Sequence, residues 1–139
     1  MTLERRAYGP DATAEENDAI RARVTAIGDR TVLYEELPIM TAHSAGLCLE
    51  RARELAEPWD ALWLIVDVRD VIRPDAPSRH AIRNGLRALG PKLRGVYLIP
   101  GENVAVRMAL TFLFRFIGFS HWRVVGSVDE ALAARDDAA

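Results

Sequence analysis

The chain has 139 residues, half of them hydrophobic and about a quarter charged, with a formal net charge of −2. That length supports one domain, residues 1–139, with one core that needs no metal or disulfide. The charge balance excludes a general attraction to nucleic acid or to an anionic membrane, and a single cysteine, Cys48, excludes a disulfide framework and a Cys-rich zinc site.

Residues 1–12 carry a Gly9-Pro10 breaker and no clear periodicity, so they read as a loose end, as does the polar tail 135–139. Arg5 and Arg6 are followed by no apolar run, so no signal peptide is expected. Thr13-Ala-Glu-Glu16 forms a capping box, and Ile20, Val24 and Ile27 have helical spacing. Residues 23–27 also fit a strand that Gly28-Asp29 would turn into a hairpin, so 13–27 reads as a short helix, then either more helix or a strand.

From there the elements alternate. Thr31–Leu37 is β-rich and stops at Pro38, and Thr41 caps a helix running to Ala56 with Cys48 on its apolar stripe. Leu62–Val68 is a continuous apolar run, as in a strand buried on both faces. A helix opens between Asp75 and Ser78, turns Ile82, Leu86 and Leu89 inward, and ends at Gly90-Pro91. Gly95–Ile99 is the next buried strand, Asn103 caps a helix to about Ile117, and Trp122–Val125 is a last strand. Ser127 and Glu130 open a C-terminal helix. Strand–helix alternation implies an α/β fold: one mixed, largely parallel sheet of four to five strands joined by right-handed crossovers. Leu62–Val68 and Gly95–Ile99 should be adjacent, parallel and interior.

Two features suggest recognition. The first is a polar run, Asp67, Arg69, Asp70, Arg73, Asp75, Ser78 and Arg79, at the end of the central strand. The loop Gly101-Glu102-Asn103 should lie beside it, on the strand edge where α/β proteins place ligands. The second is the helix 104–117. Its polar residues Arg107, Thr111 and Arg115 occupy a narrow stripe, leaving an apolar arc of roughly 220°. Leu110, Phe112, Phe114 and Phe116 are therefore candidates for self-association as a homodimer, unless the segment 13–27 covers them. His43, His80 and His121 lie in separate elements without a catalytic or metal-binding motif, so no catalytic residue, metal or cofactor is expected.

The strand Leu64-Ile-Val-Asp67-Val, the helix after it, Gly95–Ile99, the turn Gly101-Glu-Asn103 and the closing Ser127-Val-Asp-Glu-Ala-Leu132 together resemble the STAS family, the fold of bacterial anti-sigma factor antagonists. The likeness spans residues 30–134. It implies helices mainly on one side of the sheet and a non-enzymatic, regulatory role through an unidentified protein partner. The charge balance and the lack of a signal peptide or a long uninterrupted apolar run add the expectation of a cytoplasmic location, with no nucleic acid or membrane involved. In the antagonists that helix opens with Asp-Ser and the serine is phosphorylated. Here Asp75 matches the aspartate but Ala76 stands at the serine position, with Ser78 two residues on. The other reading is a carrier or sensor of a small apolar or anionic ligand.

Overall fold

A computed structural model describes residues 2–117 and 120–138. Thr13 caps α1 (Ala14–Arg21) through the reciprocal Thr13–Glu16 box. The strand alternative holds for the segment after it: β1 (Val24–Gly28) pairs antiparallel with β2 (Thr31–Glu35) across a turn in which Arg30 has a φ of 51°. A two-residue strand β3 (Ile39–Met40) leads to α2 (Ala42–Leu55), capped by Thr41. The central strand β4 (Leu62–Asp67) is followed by β5 (Arg73–Pro74), which pairs only with β3. Then come α3 (Ala76–Leu89), β6 (Leu93–Ile99), α4 (Val104–Ile117), β7 (Trp122–Val124) and α5 (Val128–Ala138).

The main sheet has the order β1-β2-β4-β6-β7, with β1 antiparallel and the rest parallel. Strands β4 and β6 are adjacent, parallel and interior, as their apolar runs require. Side chains alternate between faces with period two. Val32, Tyr34, Leu64, Val66, Val96 and Leu98 meet the residues of α1–α4 in the larger core, whereas Ile65, Tyr97, Ile99 and Val125 meet Ala131 and Ala134 of α5 on the other side. Helices α2 and α3 approach closely at Gly85, where an added Cβ would lie 2.5 Å from Leu49 Cδ1.

Both expected loose ends are held. Tyr8 is fully buried, its carbonyl accepts from Thr41 Oγ1 at 2.7 Å, and its hydroxyl accepts from the Glu4 amide at 2.8 Å. At the other end α5 continues through Ala138, and Arg135 donates to Thr31 Oγ1 on β2 at 2.7 Å. A long-range bond, invisible to local composition, orders each end.

Candidate functional site

All four parallel strands end at one edge, where the loops entering α3 and α4 lie side by side. Asp67 closes β4 and is nearly buried. Its carboxylate accepts the Arg69 amide at 3.0 Å and a two-pronged contact from the guanidinium, Nε to Oδ1 at 3.0 Å and Nη2 to Oδ2 at 2.7 Å. The geometry is the planar fork match between arginine and carboxylate. Those bonds and the Asp67 charge, with smaller contributions from Asp70 and Glu35, hold Arg69 still more firmly protonated than usual. Half of the Arg69 side chain remains in solvent.

Gly101 packs directly on this hairpin of charges. Its φ is 68°, and an added Cβ would stand 3.0 Å from Arg69 Cα. Only glycine meets both demands without strain. Asn103 joins the two loops: its Oδ1 accepts the Val106 amide at 3.2 Å, capping α4, and its Nδ2 donates to the Ile72 carbonyl at 3.4 Å. Asp67, Arg69, Gly101 and Asn103 thus belong to one surface, with Glu102 exposed on its rim.

Other expected members are used differently. Asp75 caps α3 by accepting the Ser78 amide at 2.8 Å, and the Ser78 hydroxyl donates to the Asp75 carbonyl at 2.6 Å. Ser78 is fully buried, so it serves the helix start and leaves the recognition surface. Asp70 is exposed toward a separate cleft of 530 Å³ beside the N-terminal segment, shared with Arg5 and Arg23. Arg79 is exposed on α3. The Arg73 side chain lies outside the described part of the structure.

Helix α4 corrects the expected self-association set. Leu110 and Phe114 are buried in the chain's own core with Val106 and Leu113, and Phe114 stacks on Trp122 with ring centroids 5.7 Å apart. Neither is available to a partner. Of the remaining two, Phe112 is exposed and the Phe116 side chain lies outside the described part. Segment 13–27 gives no cover here, since α1 packs on α2 and β1 is the sheet edge opposite β7. The outer face of α4 instead carries Val104, Met108 and Phe112, 60–68% exposed at four-residue spacing, and Ile72, 48% exposed, adjoins it through the Asn103 bond.

One polar centre was missed by the sequence reading. Glu36 is 1% exposed and accepts from Tyr34 Oη, from the Leu37 amide at 2.8 Å and from Ser44 Oγ at 2.9 Å. Burial raises its carboxyl above the ordinary range, against the pull of those bonds and of Arg23. The signal was present: Glu36 shares the inward parity of Val32 and Tyr34. His43 pairs through Nε2 with Asn17 Oδ1 at 2.8 Å, tying α2 to α1. Among the described residues no group of three or more His, Cys, Asp or Glu is arranged to hold a metal ion, and no helix is long and apolar enough to cross a membrane. Neither a family model, nor a curated protein, nor a solved structure matches the chain.

Proposed function

We propose that the protein is a non-catalytic regulatory module of the STAS kind that binds a protein partner through its strand-end loops and the outer face of α4. The observation that carries this reading is the apolar ridge Ile72, Val104, Met108 and Phe112, which adjoins the charged pair Asp67–Arg69 through two touching loops. Exposed apolar groups gathered on one face, with a polar rim, are the composition of a protein interface. The rim is ordered before any partner arrives, because Arg69 is clamped by Asp67 and Asn103 locks the loop. Ser78, being buried, is no phosphate acceptor in this reading, so regulation rests on binding alone.

The test is capture from the native cell with wild-type bait and with Met108→Glu/Phe112→Glu bait, followed by reconstitution from purified components. A protein retained stoichiometrically by wild type and lost by the double variant supports the surface. Equal retention by both baits overturns it.

A further inference from the structure

The face of the sheet that carries α5 is only partly covered. Helix α5 packs over Ile65, Tyr97, Ile99 and Val125 and reaches across to Thr31 on β2. The first halves of β6 and β7 are left beside it as the floor of a groove of about 880 Å³. This groove lies at the opposite end of the strands from the Asp67–Arg69 loops. Its volume falls in the range of small-molecule sites, roughly 300–1,000 Å³.

Three features define what it accepts. First, Gly95 is buried and lines the floor next to Trp63, its register partner on β4. A Cβ at Gly95 would press to 3.3 Å from the Trp63 indole, so the missing side chain lets that ring lie close against the β6 backbone at the groove floor. Second, Tyr97 pairs in register with Arg123 on β7, so phenol and guanidinium are neighbours on one face. Burial raises the Tyr97 phenol above its ordinary value, while the charges of Arg123 and Arg135 pull it down. Third, Arg94 and Arg123 both line the groove, and among the described residues no Asp or Glu does. An aromatic wall beside guanidinium groups suits stacking and charge-assisted hydrogen bonds at once.

We infer that this groove binds a small planar organic anion, its ring against Trp63 and its carboxylate or phosphate at Arg123. The site is independent of the partner surface on α4.

The test uses the full chain labelled with ¹⁵N and the indole N–H signals of its three tryptophans. Anthranilate and adenosine 5′-monophosphate are the anionic probes, benzamide and adenosine their neutral counterparts. Saturable binding of either anion is expected, with the largest shift at Trp63 and an affinity about tenfold above that of the neutral counterpart. The two anions separate a carboxylate from a phosphate ligand. Arg123→Gln, an exposed change that leaves the core intact, weakens binding about tenfold, and Gly95→Leu abolishes it by displacing the Trp63 ring. Phe112→Glu leaves it unchanged, which separates this site from the partner surface. The inference is overturned if neither anion binds below about 10 mM, if neutral and anionic probes bind alike, or if Arg123→Gln has no effect.

Discussion

Phe112 and Phe114 stand two residues apart on α4 and face opposite environments: Phe114 is 2% exposed and stacked on Trp122, whereas Phe112 is 60% exposed. Two residues along a helix rotate the side chain by roughly 200°, which is enough to exchange core for solvent. Truncation should therefore separate them sharply. Phe114→Ala is expected to cost about 3–5 kcal/mol, and Phe112→Ala, whose side chain is largely in solvent, clearly less. Urea unfolding of both variants checks this, and similar losses in the two would contradict the assignment.

Glu36 predicts a pH dependence with a definite sign. Its folded value is raised above the ordinary 4.5 by burial. The native chain therefore keeps this proton at pH values where the unfolded chain has released it. The stability that this contributes is complete below 4.5 and is lost as pH rises through the raised folded value. Glu36→Gln keeps the hydrogen-bonding shape without the titration. Unfolding free energies across that window should fall more steeply for wild type than for Glu36→Gln, and parallel curves would contradict the account.

Gly85 sets two effects against each other. Alanine in a helix interior is favoured over glycine by about 1 kcal/mol. Here the new methyl would stand 2.5 Å from Leu49 Cδ1 and 2.8 Å from Leu49 Cβ. The second contact involves an atom fixed to the α2 backbone, so rotating the leucine tip does not relieve it. Overpacking costs about 1–3 kcal/mol, and Gly85→Ala should be net destabilising in thermal unfolding. A raised melting temperature would show that α2 and α3 separate easily.

The N-terminal segment should behave as core. Tyr8 is 1% exposed and bonded to Thr41, the cap of α2. Removing residues 1–10 should lower stability by about 3 kcal/mol, the scale of an aromatic ring lost from a core. Calorimetry of the shortened chain checks it, and an unchanged transition would return this segment to the status of a tail.

The elements were legible wherever the signal was local. The Thr13–Glu16 box, Thr41 and Asn103 each cap a helix as their side chains suggest, and α3 opens within the stretch from Asp75 to Ser78, with Asp75 as its cap. The apolar run of β4, apart from the half-buried Trp63, is buried on both faces because α5 covers most of what α1–α4 leave. What local pattern did not reveal was tertiary. The breadth of the apolar arc on α4 says nothing of which part is covered, so Leu110, Phe112 and Phe114 looked alike until the sheet divided them. Tyr8 meets Thr41 across 33 residues, which no window of sequence spans. Glu36 had the inward parity of Tyr34, but a carboxylate two residues before Pro38 reads as the end of a strand rather than as a buried group.

The central claim is that the outer face of α4 meets a protein partner. The most direct measurement places a photoreactive benzoylphenylalanine at Phe112 in the native cell, with a second at Arg53, exposed on α2, as the control. Irradiation should give one discrete cross-linked adduct from position 112 and none from position 53. The absence of an adduct at 112 above the level at 53 would contradict the claim.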